Sequence, residues 1–303
     1  MSLLAAPWAL AAATAAQETT PRYVFLRGWG GTGTVTGRLD GPIGVAIHRH
    51  QVYIADSFND RIQQFTRAGL FIRAWGTFGT RNDQFNRPRG VAVDDEGLVY
   101  VADSFNHRIQ IFDGEGEFQR GFGRRGSGEG QFAFPWGVAI GRNGRIHVAD
   151  SLNHRIQVFN WRGRFMRAWG ERGSAEGEFA FPRGIAADGR GRIYVADSAN
   201  HRVQVFNARG RFLRAWGREG TANGQFRNPE DVAIDSQGRV FVADSGNSRV
   251  QVFTSTGRYL TQFSGRSIAP AGFTPNGLAI DIADRVFVTD TDNDRLEAFT
   301  PVV

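Results

Sequence analysis

The sequence predicts an all-β chain: a six-bladed β-propeller of four-stranded antiparallel blades, closed by the N-terminal strand completing the last blade. Three observations carry that expectation. One phrase recurs six times, as ADSFNDRIQQF from Ala55, ADSFNHRIQIF from Ala102, ADSLNHRIQVF from Ala149, ADSANHRVQVF from Ala196, ADSGNSRVQVF from Ala243 and TDTDNDRLEAF from Thr289, at a spacing of 46 to 47 residues. That period suits one sheet-sized unit, which cannot bury its apolar faces alone and must stack on its neighbours. Each full copy holds four short β-prone runs separated by turn residues, and the two chain ends carry complementary fragments of one unit.

Taken in order, residues 1–21 stand apart as a leader or tail. Residues 3–16 are apolar and alanine-rich, and Ala13-Thr14-Ala15-Ala16-Gln17 offers a small-residue cleavage site, although no Arg or Lys precedes the apolar run. These are features of a secretory signal cleaved near Ala16. The expectation is an exported chain, secreted or periplasmic; the alternative is a helical or disordered tail on a cytoplasmic protein. The stretch is too short and too alanine-rich to read as a membrane span, and no later segment qualifies.

Residues 22–303 form the repeat domain. Residues 23–29 match a fourth strand, with no match to strands one to three before them. The copy at 181–217 shows a whole unit: strands at 184–188, 192–197, 202–206 and 211–216, with turns at Gly189-Arg190-Gly191, Ser198-Ala199-Asn200-His201 and Asn207-Ala208-Arg209-Gly210. A glycine-rich linker of about a dozen residues leads to the next copy. At the far end, residues 295–299 match a third strand and no fourth follows. The first segment therefore supplies what the last blade lacks, and their pairing hides two otherwise exposed blade faces.

Composition narrows the chemistry. Hydrophobic residues make up 41% of the 303, enough for a packed interior. There is no cysteine and no lysine, which excludes disulfides, thiol chemistry, a lysine Schiff base and a P-loop lysine. The net charge of +6 is carried by arginine that largely repeats with the template: Arg61, Arg108, Arg155, Arg202, Arg249 and Arg295 in the shared phrase, and Arg27, Arg73, Arg120, Arg167 and Arg214 before the Trp-Gly or Phe-Gly pairs. Charge of that origin is scaffold, and by itself it does not call for nucleic acid.

The Asn-His-Arg-Ile/Val-Gln-Val-Phe core, following Val-Ala-Asp-Ser, resembles the NHL repeat, and the resemblance runs from about Arg22 to Val303. It implies that linkers and strand-two-to-three loops share one face of the propeller, the top. Several motifs inside the repeat read as scaffold. Asp56, Asp103, Asp150, Asp197, Asp244 and Asp290 recur around a ring, whereas a catalytic triad needs its groups to converge once, so a turn role suits them. His107, His154 and His201 share a slot with Asp60, Ser248 and Asp294, too dispersed for one metal. Two G-x-G-x-x-G runs, at Gly28 and Gly121, open no helix and are linker turns. His48-Arg49-His50 is a solvated turn. Trp29, Trp75, Trp169 and Trp216, with Phe122 and Phe263, fill one strand-four slot as inter-blade packing.

One position class breaks the uniformity. The residue after the proline that opens strand one is Ile43, Arg89, Trp136, Arg183, Glu230 and Asn276 in turn, and the next is glycine except for Asp231. These side chains are expected at the channel mouth. Arg89, Trp136 and Arg183 make a basic, aromatic side; Glu230, Asp231 and Asn276, with Asp292 and Asp294, make an acidic one. Phe58, Phe105 and Leu152 vary in the strand-two-to-three loops beside it.

The leading functional expectation is a monomeric binding or scaffold module that takes a protein, peptide or glycan through this face, with no assigned catalytic residue and no required cofactor. The first alternative is a calcium-assisted hydrolase or lyase: Pro275-Asn276-Gly277 is similar to gluconolactonase-like propellers, which use Glu and Asn around calcium. Peptidylglycine amidating lyases resemble the scaffold too, but place zinc-binding histidines after the channel prolines, where this chain has none. The second alternative is single-stranded RNA binding, as in tripartite-motif NHL proteins, with Arg89, Arg183 and Trp136 supplying charge and stacking.

Overall fold

The computed structural model describes residues 21–265 and 272–302. Except for Pro21, the leader expected over residues 1–21 lies outside them. Six four-stranded antiparallel sheets surround one axis, with the strands of blades one to five running outward in chain order over residues 42–75, 88–122, 135–169, 182–216 and 229–263. In blade six Pro275–Ile280, Val286–Asp290 and Arg295–Val302 are completed on the outside by Arg22–Gly30. The expected strand at 23–29 and its partner at 295–299 are thus both present, each slightly longer. Their register pairs Phe25 with Phe299 and Trp29 with Leu296, with one bulge between Phe25 and Arg27.

The apolar clusters lie between blades, not within them. Ala46, Tyr53 and Ile62 of blade one pack on Phe85, Val99, Val101 and Phe112 at the front of blade two. Closure follows the same rule. Leu296, Ala298 and Phe287 of blade six meet Val45, Val52, Ile54 and Phe65 of blade one, with Trp29 against them. Tyr23 joins Phe241, Phe263 and Phe299 on the blade-five side. The strand-four aromatic slot is inter-blade packing, as expected from sequence. Each ring faces a turn glycine of the next blade: Trp29 covers Gly69, Trp75 covers Gly116 and Trp169 covers Gly210. All three glycines have positive φ, and an added Cβ would press into the indole.

The recurring aspartates are hubs. Asp103 is fully buried and accepts hydrogen bonds from Asn86 N at 2.8 Å, Asn106 Nδ2 at 2.9 Å, Arg108 Nε at 2.7 Å and Gln110 Nε2 at 3.2 Å. Arg108 also donates to the carbonyls of Thr80, Arg81 and Gln84, so one carboxylate ties the strand-two-to-three loop to the preceding linker. The same bonding recurs at Asp56, Asp150, Asp197 and Asp244. These bonds place the loops and linkers on one face. The second arginine series is structural as well: Arg73, Arg120, Arg167 and Arg214 each donate to a carbonyl in the strand-three-to-four turn of the next blade. Much of the positive charge is therefore committed to carbonyl oxygens of the scaffold.

The histidine slot has a defined task. His107, His154 and His201 Nδ1 accept the backbone N–H of Phe134, Phe181 and Asn228, at 3.1, 3.2 and 3.1 Å. Asp60 and Asp294 do the same for Arg87 and Gly41. Each receiving residue precedes a channel proline and has φ between 45° and 53°. An acceptor there fixes an otherwise costly turn into the innermost strand. Imidazole and carboxylate serve alike, which is why the slot tolerates both.

Candidate functional site

The innermost strands line the channel from Gly44, Gly90 and Gly137 down to Ile47, Val93 and Ile140, with equivalent residues from the other three blades. Adjacent strands approach so closely at the top that glycine is required. A Cβ on Gly44 would collide with the carbonyl of Arg89, one on Gly90 with that of Trp136, and one on Gly137 with that of Arg183. The carbonyls of Pro88 and Pro135 accept from the serines of the recurring phrase, Ser57 Oγ at 2.5 Å and Ser104 Oγ at 2.6 Å. The residue after each proline is therefore held rigidly, while its side chain is free of template duties.

Four of the expected mouth residues come together. The Arg89 guanidinium carbon lies 3.7 Å from the centroid of the Trp136 ring, and that of Arg183 lies 4.3 Å from it. Arg183 Nη1 donates to Glu230 Oε1. The series extends outward, with Arg89 5.5 Å from the Phe105 ring and Arg87 4.7 Å from Phe58 and 5.5 Å from Phe105. Guanidiniums and aromatic rings thus alternate across blades one to four, a geometry in which each contact contributes about 0.5–2 kcal/mol. Burial pushes Arg89 and Arg183 down to about 10, and the neighbouring Arg183 and Arg87 cations add to the effect at Arg89. Both remain charged at neutral pH.

The other expected residues are engaged separately. Asn276 Nδ2 donates to Thr291 Oγ1 at 2.7 Å, Asp292 accepts from Thr274 Oγ1 at 2.8 Å, and Asp294 accepts from Thr32 Oγ1 at 2.6 Å. Phe58 stays half exposed over Gly41, and Phe105 packs edge-on against Phe134 with centroids 4.8 Å apart. Leu152 is exposed in the equivalent loop of blade three.

Comparison with known proteins bears on the fold. The family model described as NHL repeat matches residues 85–112, 132–159, 179–206 and 226–253, the cores of blades two to five. The chain belongs to the NHL-repeat propellers. No curated protein sequence matches it. Among solved structures, virginiamycin B lyase from Staphylococcus aureus, crystallised as an inactive variant with quinupristin, is 14% identical, with a TM-score of 0.62 over 86% of this chain and 80% of that one. A gluconolactonase from Xanthomonas campestris is 16% identical, with a TM-score of 0.67 over 93% and 90%. A chain of a nidogen–laminin complex is 19% identical, with a TM-score of 0.64 over 82% and 88%. Likeness at these identities is likeness of fold.

The acidic side of this NHL propeller offers calcium little. Glu230 is paired with Arg183, leaving Oε2 as its unpartnered oxygen. Asp231 Oδ1 accepts from Val232 N at 2.8 Å and Oδ2 from Leu278 N at 2.9 Å. Among the described residues no three His, Asp or Glu side chains are gathered as for a metal ion. Calcium takes six to eight oxygens, and this donor set does not fit it.

Asp231 has a different consequence. Burial pushes its carboxyl up from an ordinary 3.8 to about 7, against the two backbone donors that lower it. The folded chain therefore holds a proton that the unfolded chain releases between those values, and stability falls as pH rises from about 4 to about 7. Asp231→Asn keeps an acceptor for Leu278 and should flatten that decline, by on the order of 2–4 kcal/mol across the window. Urea midpoints of the two proteins, measured side by side through this range, check it; parallel profiles would remove Asp231 as the cause.

Arg87 was not singled out by sequence reasoning. It precedes Pro88, and its class, Gly41, Arg87, Phe134, Phe181, Asn228 and Thr274, is as varied as the class after the proline. That variability was the available signal.

Proposed function

We propose that this NHL propeller is a monomeric binding module that takes a protein, peptide or glycan partner on its top face at the channel mouth. The supporting observation is the ladder Arg87–Phe105–Arg89–Trp136–Arg183, whose side chains take no part in the repeated scaffold bonding of an otherwise repetitive surface. Aromatic and arginine side chains dominate the energetics of binding patches, and here they are held on a rigid ring that pays little entropy on contact. Phe58, Leu152 and Phe181 add exposed apolar surface around it. On the exported reading of residues 1–21, the partner is met outside the cytoplasm.

The test is a double charge reversal, Arg89→Glu with Arg183→Glu, used beside wild type to capture partners from the native extract. Loss of at least about tenfold of a captured partner is expected, with an unchanged melting curve to show that the ring is intact. Equal capture by a folded double mutant would remove the mouth from consideration.

A further inference from the structure

The arginines of the recurring phrase show how this chain treats a guanidinium. Arg108 and Arg202 each bond one buried aspartate and three carbonyl oxygens. Arg183 has Glu230. Arg89 has none of this. It sits as deep as Arg183 and, like Arg183, has a buried Nε without a hydrogen-bond partner, but no described residue accepts from its guanidinium or pairs with its charge. Its contacts are the flat faces of Trp136 and Phe105. Arg87, exposed beside it, lays its guanidinium on the Phe58 and Phe105 rings, with the Asp60 carboxylate near its charge.

A partly desolvated cation with no protein acceptor is costly unless something supplies an acceptor and countercharge at its solvent-reached Nη atoms. Stacking on Trp136 holds the planar fork still, so that its N–H edge suits a bidentate carboxylate. We infer that the ligand of this mouth is an acidic peptide segment whose carboxylate seats on Arg89 beside Trp136, with a neighbouring apolar residue lying on Phe58 and Phe105. This rests on the binding role proposed above. A phosphate chain is disfavoured by the same surface. The stacked cations at the mouth are Arg87, Arg89 and the already paired Arg183, and a strand continuing past them would meet the Asp292 and Asp294 carboxylates of blade six. A single carboxylate needs no such path, and the half-exposed Phe58 ring gives a peptide apolar surface next to the charge.

The direct readout is the Nε–Hε resonance of Arg89 in the full chain labelled with 15N arginine, assigned by its disappearance in Arg89→Gln. Four probes are titrated: acetyl-Asp-Phe-amide, acetyl-Asn-Phe-amide, sodium acetate and a short oligouridylate. A saturable shift with the Asp peptide, at least about tenfold weaker with the Asn twin and with acetate, is the expected result. A response to acetate equal to that of the Asp peptide would assign the site to small acids and overturn the peptide. Tighter binding of oligouridylate would overturn it in favour of nucleic acid. Silence toward every carboxylate, while charge reversal at Arg89 and Arg183 still abolishes partner capture, would overturn the carboxylate and leave the mouth as the binding site. Silence with capture unaffected would end both.

Discussion

Removing residues 22–30 should abolish cooperative folding of the ring. That segment supplies the outer strand of blade six and two of its largest contacts. Tyr23 is 6% exposed and packs between Phe241 and Phe263, at centroid distances of 5.3 and 5.1 Å. Trp29 packs against Phe65 of blade one and Phe287 of blade six. Truncating one large buried aromatic such as Tyr23 costs about 3–5 kcal/mol, so losing it together with the partly buried Trp29 and the strand pairing takes a large share of the 5–15 kcal/mol by which domains are stable. The strand Arg295–Val302 would also become an exposed edge, a template for pairing between chains. Far-UV circular dichroism during heating, with size-exclusion chromatography, checks the outcome: a broad melt and aggregation are expected. Tyr23→Ala should give a graded version, about 3–5 kcal/mol by urea unfolding. A truncated chain that melts as sharply as the full one would show that six blades stand without the latch.

The second large effect is expected from Asp103→Ala. The substitution removes the acceptor for four donors and leaves Arg108 partly buried beside a fully enclosed gap. Breaking a buried charged pair from one side costs about 3–5 kcal/mol, mainly because the surviving charge loses its partner. Ser104→Ala, next in sequence, removes one bond to the Pro135 carbonyl and should cost about 1 kcal/mol. Urea unfolding of the two variants separates a hub from a single tie. Because Asp103 holds Asn86, two residues before Pro88, its loss should also loosen Arg89 at the mouth.

Repetition made most of the fold legible. The six phrases gave the blade count, and the orphan fourth strand at one end matched the missing one at the other. The strand ends differ by a residue or two, because the pairing at Pro182 skips to Ile185 and so adds the proline to a strand that pattern alone begins at Gly184. The mouth was legible as a class of irregular residues, but its internal chemistry was not. Nothing in the order of residues says that Glu230 turns to Arg183, that Asn276 turns away to Thr291, or that Arg87 joins the ladder from the other side of a proline. The first depends on a distance across blades, between residues one repeat apart, and the other two on how a loop folds back over the innermost strand of its own blade. The glycine after each channel proline had no visible cause in sequence either; its reason is the carbonyl of the neighbouring strand, which occupies the space a methyl group would need.

The pairing of Arg22 with Val302 has a topological outcome. The strand Arg22–Gly30 runs toward the linkers and Arg295–Val302 runs away from them, so both begin or end on the floor of the disc, side by side. A segment leaving the blade at Arg22 or Val302 departs from that floor, on the side opposite the linkers and the mouth.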